Sequence, residues 1–116
     1  MTRFDSKVER LERRDLIVDQ VTKNLDVERK DIFAPNRCLA RIATARQVAM
    51  YFCSKYLPGA SMTEIGDLFG RDRTTVRHAL YKIHAQRTKN PSIEERLLEI
   101  QSKIESRLDE HPASFV

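Results

Sequence analysis

Residues 61–83 decide the fold and read SMTEIGDLFGRDRTTVRHALYKI, two apolar segments separated by a glycine and charged residues. Ser61 and Glu64 have the spacing of a capping box, which predicts a helix that begins directly after Ser61. Gly70 follows the last apolar residue of that helix and permits a sharp turn of the chain. Asp72 then has a side chain suited to cap a second helix. The stretch therefore predicts two short helices joined by a tight turn.

The second predicted helix carries its apolar and its polar side chains on different faces. Its inward stripe is apolar: Val76, Ala79, Leu80 and Ile83. Its outer side is polar and cationic: Arg73, Thr74, Arg77, His78 and Tyr81. Two short helices joined by three or four residues form a helix-turn-helix, whose second helix enters the DNA major groove by its N-terminal end. The pattern therefore predicts a DNA-reading helix.

The same residues carry a family resemblance. Residues 64–79, followed by Lys82 and Ile83, resemble the signature of the C-terminal DNA-binding domain of DnaA, the bacterial replication initiator. The resemblance continues upstream through Arg46 and Gln47, a pair that matches the long helix of that domain. It implies an all-α, multi-helix domain with a helix-turn-helix, similar to the fold of the Trp repressor.

We expect residues 1–116 to form one domain of this kind, as a small free-standing protein. The family resemblance covers about residues 16–87, with the helix-turn-helix at about residues 62–86. The N-terminal and C-terminal flanks are expected to be helical extensions. With 41% apolar residues, the chain can bury one modest core.

The resemblance implies a DNA-binding surface made of the second helix, the turn before it, the start of the long helix and the loop that precedes it: Arg37, Arg41, Arg46, Gln47, Arg71, Asp72, Arg73, Thr74, Thr75, Arg77 and His78. Arg73 and Arg77 lie one helical turn apart, and a planar guanidinium suits bidentate contact with guanine or phosphate. Threonine offers a methyl group to thymine and a hydroxyl to phosphate, although short polar side chains also favour a first helical turn. His78 can donate a ring N–H to phosphate or pack half-buried.

The chain departs from the family pattern at several of these positions. The family has an arginine that enters the minor groove where this chain has Cys38, with Arg37 adjacent. Either Arg37 takes over after a small shift or this part of the sequence readout is weakened. The family usually has histidine in place of Arg73, often an aliphatic residue in place of Arg77 and commonly a second glycine before Arg71. A related but altered site preference is expected.

Positive charge is concentrated in the middle of the chain. Residues 1–36 carry eight cations and eight anions, residues 37–90 carry ten cations and three anions, and residues 91–116 carry three cations and six anions. A basic block of this kind is expected for a module that binds a polyanion, because neutralised phosphates release their counterions. A solvated basic face is the alternative on charge alone.

The rest of the chain is expected to be helical. Residues 6–25 have a loosely helical period, interrupted by a charged triplet, and predict one kinked helix or two helices. Residues 27–33 predict a short helix, and a long helix is expected from about residue 41 or 44 to residue 56. A second capping box at Ser92 predicts the start of a last amphipathic helix.

The sequence lacks the motifs of several other classes of function. It contains no G-x-x-x-x-G-K-[ST] loop and only three glycines, so we expect no bound nucleotide and no other cofactor. Cys38 and Cys53 are too few for a disulfide framework and too far apart for a local pair of metal ligands. No motif identifies a catalytic nucleophile or base, and we therefore expect the chain not to be an enzyme.

No apolar run approaches the ~18 residues that span a membrane, and the N-terminus lacks the apolar stretch of a signal peptide. We therefore expect a cytoplasmic, nucleoid-associated protein. The oligomeric state stays open, because the N-terminal segment and the last helix would either cover the core or pair two subunits.

Two functions remain. The first is sequence-specific binding of double-stranded DNA at sites similar to the DnaA box, whose family consensus is TTATnCACA-like, in replication initiation, its regulation or transcription regulation. The second is a helical interaction module that keeps the fold and binds a protein partner, such as a component of the replication machinery. Arg73, Arg77 and the basic central block favour the first.

Overall fold

The computed structural model describes residues 7–35 and 39–110. Within these residues the chain forms six α-helices and no β-strand: α1 (Lys7–Leu25), α2 (Arg29–Phe33), α3 (Ala40–Tyr56), α4 (Met62–Phe69), α5 (Arg73–Lys89) and α6 (Pro91–Glu110). The prediction of an all-α domain with a helix-turn-helix is confirmed, and α4 and α5 are its two helices.

The long helix α3 lies at the centre of the domain, where it contacts α1, α2, α4 and α5. Most of its side chains are apolar, and it contributes a large share of the core: Ala45, Val48, Ala49, Met50, Phe52 and Cys53. The last helix, α6, packs across α1 and α5. Burial raises the pKa of the Cys53 thiol, because the thiolate would lose its hydration in this apolar interior.

The first helix, α1, is continuous. The charged triplet Arg13, Arg14 and Asp15, at which the sequence allowed a kink or a second helix, lies within it. The triplet does not interrupt the helix because its side chains find partners on other elements. The Arg13 guanidinium donates to the Tyr56 carbonyl oxygen at 3.2 Å. The Asp15 carboxylate accepts from Arg14 at 2.7 Å and from Arg29 at 2.6 Å. These contacts join α1 to α2 and to the end of α3.

The capping box at the start of α4 is confirmed. The Ser61 hydroxyl oxygen accepts from the Glu64 backbone N–H at 3.0 Å, and the Glu64 carboxylate accepts from the Ser61 backbone N–H at 2.8 Å. Gly70 ends the helix at φ +67°, a left-handed conformation that glycine adopts without strain. A Cβ at Gly66 would clash with the Arg71 carbonyl oxygen, so a side chain there would displace the turn.

The prediction of a capping box at Ser92 is wrong. The Asn90 side-chain oxygen accepts from the backbone N–H groups of Ser92 at 3.0 Å and Ile93 at 3.4 Å, and α6 begins at Pro91. Proline suits the first position of a helix because its φ is already helical and its missing N–H would have had no partner there. Glu94 instead accepts two hydrogen bonds from Arg87, at 2.6 and 3.0 Å, which fixes the corner between α5 and α6.

Candidate nucleic-acid interface

The start of α5 is positioned by its N-cap. The Asp72 carboxylate accepts from the Thr75 backbone N–H at 2.9 Å, and this hydrogen bond holds the pKa of the Asp72 carboxyl below its usual range. Asp72 is exposed, as are Thr74 and Thr75 in the first turn. The first turn of α5 therefore projects from the domain with its conformation already determined.

The outer side of α5 is as the pattern predicts. Its inward side chains are buried: Val76, Ala79 and Ile83. The polar side chains on the other side are exposed, including Arg73, Arg77, His78 and Tyr81, the last with 74% of its surface exposed. The outward orientation of these residues is confirmed, whereas their contact with DNA stays a prediction.

The two arginines at the start of α5 carry available guanidinium groups. Among the described residues, neither Arg73 nor Arg77 forms an ion pair or hydrogen bond with another side chain. By contrast, Arg87 near the end of the same helix is engaged by Glu94 and by the Tyr51 hydroxyl at 2.8 Å. A charged, exposed group without a protein partner needs no rearrangement before it contacts an anion.

Arg46 is mostly buried in the structure, and its contact with DNA stays a prediction. The residue is 8% exposed. Its guanidinium donates to three backbone carbonyls around the end of α2, those of Asp31 at 2.8 Å, Ile32 at 2.6 Å and Ala34 at 3.4 Å. The last carbonyls of a helix have no partner within it, and Arg46 supplies one. Its role is to hold α2 against α3.

Arg71 is half-buried at the turn between α4 and α5. Its guanidinium donates to the Ala34 carbonyl oxygen at 2.7 Å and to the Gly70 carbonyl oxygen at 3.4 Å. Arg71 therefore ties the chain just after α2 to the turn of the helix-turn-helix. This contact was not foreseen from the sequence, which assigned Arg71 to DNA.

The remaining predicted residues lie in α3 and in the segment that precedes it. Arg41 is exposed in the first turn of that helix. Gln47 is partly buried, and its side-chain oxygen is enclosed without a hydrogen-bond partner in the part of the chain that the structure describes. Arg37 and Cys38 lie outside the described residues, so the minor-groove contact suggested for this loop stays a prediction.

Two phenylalanine rings and an arginine pack together beside the turn, a contact that the sequence pattern did not predict. The rings of Phe33 and Phe69 stack with centroids 5.7 Å apart, which joins the ends of α2 and α4. The Arg14 guanidinium lies 4.6 Å from the Phe33 ring centroid and donates to the Leu68 carbonyl oxygen at 2.5 Å. These contacts connect α1, α2 and the end of α4, directly before the turn of the helix-turn-helix.

Comparison with known families agrees with this geometry. The family described as bacterial dnaA protein helix-turn-helix matches residues 14–83, which include α2 to α4 and most of α1 and α5. The chain belongs to this family. Membership implies DNA binding and a link to the replication initiator, whose C-terminal domain binds DNA and is not catalytic.

Individual relatives are bacterial initiators. The chain is 38% identical over 81 residues to the chromosomal replication initiator protein DnaA of Lachnoclostridium phytofermentans, covering 69% of this chain and 17% of the relative. It is 41% identical over 86 residues to DnaA of Herminiimonas arsenicoxydans, covering 70% and 18%. It is 51% identical over 59 residues to DnaA of Methylibium petroleiphilum, covering 50% and 12%. The chain thus spans less than a fifth of the length of these relatives.

The described residues offer neither a membrane segment nor a metal cluster. None of the helices in residues 7–35 and 39–110 is both long and apolar enough to cross a bilayer. Within the same residues, no group of three or more histidine, cysteine, aspartate or glutamate side chains is arranged to hold a metal ion.

Proposed function

We propose that this chain binds double-stranded DNA sequence-specifically, with the first two turns of α5 in the major groove of sites similar to the DnaA box. The observation that carries the proposal is the pair Arg73 and Arg77, exposed and without side-chain partners among the described residues at the start of a capped helix. A helix-turn-helix presents this end of its second helix to base edges.

The side chains at the start of α5 divide between bases and phosphates. We assign Arg73 and Arg77 to guanine, because the guanidinium matches the two acceptors that guanine exposes in the major groove. Thr74 places a methyl group beside thymine, and Thr75 donates its hydroxyl to phosphate. His78 donates a ring N–H to phosphate.

The surrounding elements support this contact in two ways. Arg41, exposed at the start of α3, adds positive charge to the DNA-binding surface. Arg37 either takes over the minor-groove contact of the family, or this part of the sequence readout is weakened. Gln47 contributes its amide to the contact with DNA. Arg46 and Arg71 position the elements through backbone carbonyls, as their hydrogen bonds indicate.

We infer that the biological role lies in replication initiation or its regulation, or in transcription regulation, through occupation of such sites. The chain acts without ATP, because it contains no glycine-rich phosphate loop. Its partner in this role is duplex DNA, which makes it a nucleoid-associated protein.

Selection from a random duplex library tests the proposal. The full chain should enrich a single motif related to TTATnCACA, with altered positions where Arg73 and Arg77 differ from the family pattern. The double variant Arg73→Ala/Arg77→Ala should recover no motif under the same conditions. Failure of the unaltered chain to enrich any sequence would overturn the proposal and favour a protein-interaction role.

A further inference from the structure

An open groove lies beside the exposed side of α5. It has a volume of about 510 Å³ and runs between the end of α3, the start of α4 and the middle of α5. The residues that matter for its chemistry are Ser54, Lys55, Met62, Arg77, Tyr81 and His84. We refer to it as the α3–α5 groove.

The α5 wall of this groove is a row of exposed polar side chains. Arg77, Tyr81 and His84 are four and three residues apart and therefore share one face of the helix. Tyr81 has 74% of its surface exposed, although its ring is large and apolar. On the opposite wall, Met62 is 40% exposed and Lys55 is also exposed. The groove therefore presents partly apolar walls beside two cations.

The charge of the groove selects an anionic partner. Its lining contains Lys55 and Arg77 and no aspartate or glutamate. Neither cation forms an ion pair among residues 7–35 and 39–110. The positive charge of this groove is therefore not compensated by that part of the protein.

The position of the groove identifies the anion. Arg77 belongs both to the groove and to the outer side of α5, so the two surfaces are continuous. When α5 occupies a major groove about 12 Å wide, one phosphate strand runs along each side of the helix. The first helix of a helix-turn-helix crosses that backbone, and here its first residue, Met62, lines the groove.

We propose that the α3–α5 groove binds the sugar–phosphate backbone of the DNA strand that flanks α5, with Lys55 and Tyr81 as phosphate-contacting residues. This inference rests on the proposed function and names two contacts that the helix-turn-helix pattern does not specify. The Lys55 ammonium pairs with a phosphate, the Tyr81 hydroxyl donates to a phosphate oxygen, and the exposed ring of Tyr81 packs against sugar. Because these groups touch no base edge, they strengthen binding to every sequence alike.

The test compares the full chain with Lys55→Gln and Tyr81→Phe, using the preferred duplex and an unrelated duplex over a range of salt concentrations. Lys55→Gln should weaken binding to both duplexes by a similar factor. It should also make the fall of log K with log salt less steep by about 0.9, the value for one phosphate contact. Tyr81→Phe should weaken binding to both duplexes about threefold to tenfold through the loss of one exposed hydrogen bond, with no change in slope.

Lys103→Gln is the matched control, since it removes the same charge from α6, where the ammonium donates to the Asn24 side chain at 3.0 Å. It should leave the slope close to that of the unaltered chain. If Lys55→Gln and Tyr81→Phe keep full affinity while Arg73→Ala loses it, the groove proposal is overturned and the proposed function stands. If Arg73→Ala also keeps full affinity, both are overturned.

Discussion

The start of α5 and the junction between α2 and the turn before α5 are both rich in arginine, yet they use it in opposite ways. At the start of α5, Arg73 and Arg77 are exposed and have no side-chain partner among the described residues. At the junction, Arg46 and Arg71 direct their guanidinium groups to backbone carbonyls, and both reach the carbonyl of Ala34. All four residues are basic, but Arg46 and Arg71 donate to backbone carbonyls. Arg73 and Arg77 present their guanidinium groups to solvent.

Positive and negative charges are also distributed differently on α5 and α6. Two cations of α6 contact the end of α1, where Arg96 donates to the Asn24 carbonyl oxygen at 3.3 Å and Lys103 donates to the Asn24 side chain. The exposed part of α6 carries Glu95, Glu99 and Asp109. Because Asn24 is neutral, Arg96 and Lys103 keep their charge, and the exposed part of α6 carries both signs. α5 carries cations and no carboxylate, which favours approach of a polyanion from the α5 side.

The largest expected effect comes from Arg46. Arg46→Ala should lower the free energy of unfolding by about 2–4 kcal/mol, because it leaves buried carbonyl groups without donors. Denaturant unfolding measures this change. Arg41→Ala on the same helix is the control and should stay within about 0.5 kcal/mol of the unaltered chain, since Arg41 is exposed. Unchanged stability of Arg46→Ala, combined with lost DNA binding, would return Arg46 to the DNA-contacting group.

A smaller effect is expected for Arg71. Arg71→Ala should lower the free energy of unfolding by about 1 kcal/mol through loss of its hydrogen bond to Ala34. The salt dependence of DNA binding separates the two roles, because a residue that positions the turn leaves the slope unchanged. A slope reduced by about 0.9 would instead show that Arg71 contacts phosphate.

Substitutions in the loop before α3 are expected to change the affinity for DNA without changing the free energy of unfolding. Cys38→Arg should tighten binding, chiefly at the A·T-rich end of the site, and steepen the salt dependence by about one counterion. If Arg37 already occupies the minor groove, Arg37→Ala should weaken binding and flatten the slope by a similar amount. Binding that is unaffected by both changes would show that this loop does not contact the minor groove.

The smallest effect concerns acid stability. The pKa of Asp72 is lowered in the folded chain by the hydrogen bond from the Thr75 backbone N–H. Its stabilising contribution is therefore complete above the ordinary pKa of aspartate and is lost as the pH falls through the lowered folded value. The melting temperature of the unaltered chain should fall more steeply on acidification than that of Asp72→Asn, which caps the helix but does not titrate. Parallel curves would contradict this assignment.

The helix-turn-helix was predictable because its signals are local. The Ser61 capping box, the Gly70 turn and the Asp72 cap each act within four residues of the chain, and the structure shows all three. The apolar spacing of α5 also identified its exposed side correctly. Local hydrogen bonds of this kind do not depend on how the helices later pack.

The errors arose where competing local signals or tertiary contacts decide. At α6, the pattern from Ser92 matched a capping box, but the helix is capped by Asn90, two residues earlier, and begins at Pro91. The burial of Arg46 was not predicted, although its position on the helix indicated it. Arg46 shares a helix face with side chains three, four and seven residues further on, all of them buried: Ala49, Met50 and Cys53. The carbonyls that it binds belong to α2 and the residue after it, and no sequence pattern indicated that pairing.

The most direct test of the account is the affinity of Arg73→Ala and Arg77→Ala for the preferred duplex and for each duplex that differs from it by one base pair. Each variant should keep its stability, lose about 1–3 kcal/mol of binding free energy on the preferred duplex and stop discriminating at a different base pair. A uniform loss over all duplexes would place both guanidinium groups on phosphate and contradict base readout. Full affinity in both variants would contradict the claim that α5 binds DNA.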